Sequence, residues 1–234
     1  MSFSTELIEA GTPILDHIME HPFVKGIGAG QLSKEALMFY VTQDFNYLNE
    51  FLHADAVALL KSTSREDMQI IDNQLDFLLS SESEAHKNFC EVAGTSYKSL
   101  QGQPMAPTTK LYTNHMLETL KAGDLIDIIA AMTPCPWTYA EIGKKLVEQG
   151  KNTPDNVFTL GSNCMLIRLT KIRVRRQNSC HSLRFWTVKH QNTVGSGSTR
   201  PNAASSKAVN LSGISGNRPI IKRTGSFCLV LSCQ

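Results

Sequence analysis

A cysteine stands between two prolines in AMTPCPWTYAEIG, residues 130–142, a stretch that otherwise has the composition of a helix. Pro134 and Pro136 have no N–H to give the carbonyls of Ala130 and Met132, so a helix running through them must kink. A kink beside a thiol opens space and frees backbone acceptors. At about 100° per residue, Ile128, Met132, Cys135, Tyr139, Ile142 and Leu146 share one face. The Cys135 thiol therefore points at the core or at a cavity within it. Spacing alone admits two readings: a structural cysteine packed as a small hydrophobe, or a nucleophile, for which the thiolate is the reactive form.

A carboxylate and several tyrosines favour the second reading. Asp44 falls at the centre of an apolar stripe, between Val41 and Leu48, where a charge is costly without partners. Tyr40, Tyr47 and Phe51 lie along the same flank, and Tyr112 is a further aromatic with a polar tip. Asp55 also lies near this stripe, so an inward Asp here equally fits an exposed helix end. A thiol, a carboxylate and tyrosines together suit a flat, aromatic, hydrogen-bonding ligand. Glu82 lies on another apolar stripe with His86 one turn on. Even with Glu141 added, this falls short of a dinuclear metal set and reads instead as a buried hydrogen-bond pair. No metal and no cofactor is expected.

The elements that must carry these residues are helices. A first segment runs from about Phe3 to Glu20, with Pro13 expected to bend it. Ser33 can cap a long helix to about Ser62, with Leu37, Val41, Leu48 and Phe51 on one face. Ser64 and Asp67 resemble a capping box opening a helix to about Ala93, with Ile71, Leu75, Leu78 and Phe89 on one side. After a loop containing Pro104 and Pro107, a short helix spans about Thr109–Lys121 and stops at Gly123. Asp124 can then cap a last helix, kinked at the prolines, to about Gln149. No segment alternates like a strand with hairpin turns. The first part of the chain is all-α.

Composition divides the 234 residues in two. Residues 1–156 hold 21 acidic and 11 basic residues, a net of −10, while residues 157–234 hold 12 basic residues and no Asp or Glu. At ordinary usage that second stretch would hold about ten acids. All five tyrosines precede it, and four of the six cysteines (Cys164, Cys180, Cys228, Cys233) lie within it without metal-ligand spacing. TKIRVRRQ could form a short strand, but most of the stretch has loop composition, and SFCLVLSC is an isolated apolar patch. Its basic residues could meet nucleic acid, yet they lack interleaved aromatics and any recognisable binding fold, so a nonspecific patch is expected. Glu6 and Glu9 precede any basic residue, unlike a signal peptide, and no apolar run has membrane-span length. Two cysteines before residue 157 are too few for a disulfide framework, which suits the cytoplasm. The expected organisation is a helical domain over 1–156 and an irregular, basic tail over 157–234.

YVTQDFNYL, LYTNHM and MTPCPWTYAEIGKKL closely resemble the thiaminase II (TenA), or aminopyrimidine aminohydrolase, family, and EAHKNF is similar to another of its segments. The resemblance covers about residues 1–150. It implies a haem-oxygenase-like helical bundle, a homotetramer, and hydrolysis of thiamin or of aminopyrimidines derived from it. It also implies that Cys135 is the nucleophile and that Asp44 binds the aminopyrimidine edge. Tyr47, Tyr112 and Tyr139 would line the pocket, stacking on the ring or tuning the thiolate. The family continues with further helices, one carrying a glutamate that acts as general acid, and nothing similar follows about Asn156. The bundle is therefore expected to be incomplete, with a shifted reading frame near residues 156–160 as the simplest origin of the tail. Two other functional readings stay open: an inactive remnant that keeps a pyrimidine pocket, and nucleic-acid binding through the tail.

Overall fold

The computed structural model describes residues 3–158, apart from the side chains of residues 3, 4 and 80–84. The expected tail, from residue 159 on, lies outside the described residues. Those described form α1 (Phe3–Met19), α2 (Pro22–Ala29), α3 (Lys34–Lys61), α4 (Arg65–Ala93), α5 (Tyr97–Leu100), α6 (Pro107–Ala122), α7 (Leu125–Met132) and α8 (Pro134–Glu148), with no strand among them. None of these helices is long and apolar enough to cross a membrane.

Side-chain caps set the helix starts. Ser33 Oγ accepts from Ala36 N at 3.1 Å and Ser64 Oγ from Asp67 N at 3.1 Å, each satisfying an N–H that has no partner within the helix. Asp124 and Asp127 form a full capping box: Asp124 Oδ1 accepts from the Asp127 N–H, and Asp127 Oδ2 accepts from the Asp124 N–H, both at 3.0 Å. α1 contains Pro13, as the sequence reading had it. Two features depart from that reading. A separate helix, α2, fills the stretch before Ser33, with Pro22 in its first turn, the His21 ring accepting from Phe23 N, and Gly30 at φ 70° ending it. Finally, the single kinked helix expected after Asp124 is two helices meeting at Thr133. Two prolines within three residues remove two rungs of the ladder, and hydroxyls bond to carbonyls nearby. Thr133 Oγ1 donates to Ile129 O at 2.6 Å, and Thr138 Oγ1 reaches Pro134 O at 2.8 Å and Cys135 O at 3.0 Å.

Two apolar clusters make the core. The first joins α1, α2, the start of α3, the end of α4 and the end of α8, through Ile18, Phe23, Val41, Phe89 and Leu146. The second joins the middle of α3 to α4, α6 and α7, through Tyr47, Phe51, Ile71, Met116 and Ile128. Three helices cross from one cluster to the other. On α3, Tyr40 belongs to the first and Tyr47 to the second; on α4, Phe89 lies in the first and Ile71 in the second; on α8, Cys135 and Tyr139 pack against the second while Ile142 and Leu146 lie in the first. Asp44 and Cys135 thus sit at the seam, where polar groups can be placed without piercing either apolar centre.

Asp55 does not mark an exposed helix end: it is 1% exposed. Past α8 the chain folds back on α2. Asn156 Nδ2 donates to Ile27 O at 2.9 Å and its Oδ1 accepts from Phe158 N at 2.9 Å. Phe158 is 1% exposed, its ring edge-on to Phe89 at 5.6 Å. This aromatic, on the tail side of the compositional boundary, is core.

Candidate functional site

Asp44 lies half-way along α3, 4% exposed. Its Oδ2 accepts from two donors, the Tyr40 hydroxyl one turn back at 3.3 Å and His86 Nε2 from α4 at 2.9 Å. His86 Nδ1 lies 3.1 Å from the Tyr97 hydroxyl of α5. The Tyr40 hydroxyl is also 2.8 Å from that of Tyr139 on α8. A polar chain therefore runs Tyr97, His86, Asp44, Tyr40, Tyr139, through four helices. Beside Asp44, the buried Gln43 clasps the loop before α6: it donates to Pro104 O at 3.3 Å and accepts from Ala106 N at 2.7 Å. That clasp fixes where α6, and so Tyr112, begins.

The thiol has its own aromatic setting. Tyr47 and Tyr112 stack at a tilt with ring centroids 5.3 Å apart, and both Cys135 and Tyr112 act electrostatically on the Tyr47 hydroxyl. Burial first, and then negative charge on Cys135, raises the Tyr47 hydroxyl well above its ordinary range. The same two causes raise Tyr112, against the opposing effect of its bond to Tyr47. Both tyrosines therefore keep their protons at neutral pH and remain available as donors. The other described cysteine is different in kind. Cys90 is 3% exposed in the first cluster, and burial pushes its thiol up, so it packs rather than reacts.

Tyr47 and Tyr112 lie within the second cluster with Cys135 and Tyr139 packed against it, and Asp44 is tied to Tyr139 through Tyr40. Glu141 does not join them: it pairs with Lys144 at 3.6 Å on a partly exposed face. The Glu82 side chain, and with it the expected pair with His86, lies outside the described residues; His86 bonds to Asp44. Among the described residues no group of three His, Cys, Asp or Glu is placed to hold a metal ion. Sequence reasoning missed the roles of His86 and Tyr97 as partners in this chain. Tyr40 could have been paired with Asp44 from its i, i+4 spacing, but no local signal links His86 to a residue 42 positions away.

Residues 9–159 match the TENA/THI-4/PQQC family. The chain is 38% identical over 146 residues to an aminopyrimidine aminohydrolase of Halalkalibacterium halodurans, covering 62% of this chain and 65% of that protein. It is 35% identical over 159 residues to an aminopyrimidine aminohydrolase of Staphylococcus epidermidis, covering 67% of this chain and 69% of that one. The chain thus spans about two thirds of the length of these relatives. Among solved structures, the fold is similar to a TenA homologue from Pyrococcus furiosus, with TM-score 0.69 at 16% identity over 98% of this chain and 97% of that one. A TenA homologue from Pyrococcus horikoshii gives TM-score 0.65 at 21% identity, over 99% and 98%. The architecture is a helical bundle of the haem-oxygenase-like type.

Proposed function

The chain belongs to the TENA/THI-4/PQQC family, and on that footing we propose that it binds the aminopyrimidine of thiamin or of its breakdown products and hydrolyses it through Cys135. The observation that carries the reading is the placing of Cys135 beside Tyr47 and Tyr112, on the same helix as Tyr139, whose hydroxyl leads through Tyr40 to a buried carboxylate. Asp44 receives the amino edge of the ring, which orients it. Tyr139 lies against the ring on the α8 side, and Tyr47 and Tyr112 donate to the sulfur.

The Cys135 thiolate adds to an electron-poor ring carbon, forming a C–S bond. Electrons from that addition expel the leaving group from the exocyclic methylene, and the leaving group takes a proton as it departs. Water then bonds to the methylene and loses a proton. Collapse of the adduct breaks the C–S bond and returns the thiolate. The net change is exchange of the leaving group for hydroxyl.

Proton delivery is the weak point of this chain. Residues 157–234 contain no carboxylate, so the acid that the family resemblance assigns to a late glutamate has no counterpart there. Loss of a general acid lowers turnover by about 10²–10⁴, while binding by Asp44 and the tyrosines persists. The remnant reading is thus folded into the proposal as a slow enzyme with an intact pyrimidine site. The resemblance extends the proposal to a homotetramer in the cytoplasm, for which sedimentation of the purified chain is the check. The functional test compares pyrimidine release from thiamin and from an aminomethyl aminopyrimidine by this chain and by one whose tail is replaced with a family-like helical sequence. Equal rates would remove the argument from the missing acid. No release by either, with no pyrimidine binding, would remove the function.

A further inference from the structure

Asp44 presents a marked asymmetry between its two oxygens. Tyr40 and His86 both donate to Oδ2, at 3.3 and 2.9 Å, and no protein donor among the described residues meets Oδ1. His86 is not a surface group that happens to reach inward. It projects from α4 with its side chain 2% exposed, and its far nitrogen lies 3.1 Å from the Tyr97 hydroxyl. Whether Nδ1 donates to the Tyr97 oxygen or accepts from its O–H, Nε2–H donates to the carboxylate and both ring nitrogens are engaged. Tyr97 is seated in turn by ring contacts, 6.1 Å to Phe45 and 5.4 Å to His86.

We propose that His86, seated by Tyr97, is a positioning residue for aminopyrimidine recognition, engaging Asp44 Oδ2 so that Oδ1 is the oxygen presented to the ring. The proposal rests on the reading of Asp44 in the preceding section. A carboxylate with both oxygens open can turn about its last torsion and meet a ligand in several ways. Tying one oxygen to an imidazole bonded at both ends removes that freedom before the ligand arrives, and such preorganisation is expressed as affinity.

The test is a double-mutant cycle, with the hydroxymethyl aminopyrimidine released by thiamin hydrolysis as the probe and calorimetry as the readout. The proteins are the full chain and its His86→Leu, His86→Gln, Tyr97→Phe, Asp44→Asn and Asp44→Asn/His86→Leu variants. His86→Leu should weaken binding by about tenfold or more, the scale of a lost hydrogen bond to a charged group. His86→Gln, whose amide can still donate to Oδ2, should recover most of that loss. In the Asp44→Asn background, His86→Leu should add little, because His86 acts through the carboxylate. Additive losses, or a His86→Gln variant as weak as His86→Leu, would overturn the proposal while leaving Asp44 as a ligand. Parental affinity in Asp44→Asn would remove the reading of Asp44 itself, and this inference with it. Should His86→Leu fail to fold, Tyr97→Phe decides: a loss of about threefold supports the proposal, and unchanged affinity overturns it.

Discussion

Asp55 offers a quantitative test of the packing between α3 and α4. Its Oδ1 accepts from Gln74 Nε2 at 2.9 Å, while Oδ2 is buried with no hydrogen-bond partner among the described residues. Burial pushes its carboxyl from 3.8 up to about 7, opposed in part by the Gln74 bond. The folded state therefore holds this proton more tightly than the unfolded chain does. The resulting stability is fully present below about pH 3.8 and is lost as pH rises through about 7, an interval worth about 4 kcal/mol. Asp55→Asn keeps the shape and the acceptor for Gln74 and cannot ionise. It also places a buried amide N–H where Oδ2 has no partner, at about 1–3 kcal/mol. At pH 8 the variant should be the more stable protein by about 1–3 kcal/mol, several degrees in Tm for a domain of this size. By pH 5 that advantage should have gone. Thermal unfolding of both proteins from pH 5 to pH 8 reads the crossing directly. Two curves displaced by a constant amount at every pH, or a variant less stable at pH 8, would refute the reasoning.

Two further outcomes follow from the same geometry. Phe158→Ala empties a fully buried site against Phe89 and should cost about 3–5 kcal/mol in urea unfolding; a loss below about 1 kcal/mol would mean the residue is not part of the core. Asp44→Asn keeps the volume but removes the charge, and should weaken binding of the hydroxymethyl aminopyrimidine by about 1–3 kcal/mol; calorimetry giving parental affinity would place Asp44 outside the ligand's reach.

Much of this architecture was legible because it is written locally. Ser33, Ser64 and Asp124 name their helix starts, since a cap is a relation between residues three apart. Cys135, Asp44 and the tyrosines announced themselves as polar groups on apolar faces. α2 was missed because eight residues hold too little periodicity to register, and its signals are instead Pro22 and Gly30 at its two ends. The partner of Asp44 was missed for a different reason. His86 stands on α4 and bonds across to α3, 42 residues back in the chain. Helix spacing states which face a side chain is on but not which helix that face meets. Asp55 makes the same point, being buried by α4 rather than exposed at an end. The boundary drawn from charge at Asn156 likewise says nothing of Phe158, whose place is set by a hydrogen bond to Asn156 and by the Phe89 ring.

The claim that Cys135 is the nucleophile is tested most directly by substituting it with serine. Cys135→Ser preserves volume, so helicity and pyrimidine binding should stay near those of the parent. Pyrimidine release, followed by chromatography with enzyme and substrate at comparable concentrations, should be slow but measurable in the parent chain. In the variant it should fall below about a tenth of that rate, both in this chain and in one with a family-like helical tail. Turnover in Cys135→Ser equal to the parent's would make the thiol between the two prolines a packing residue and contradict the account.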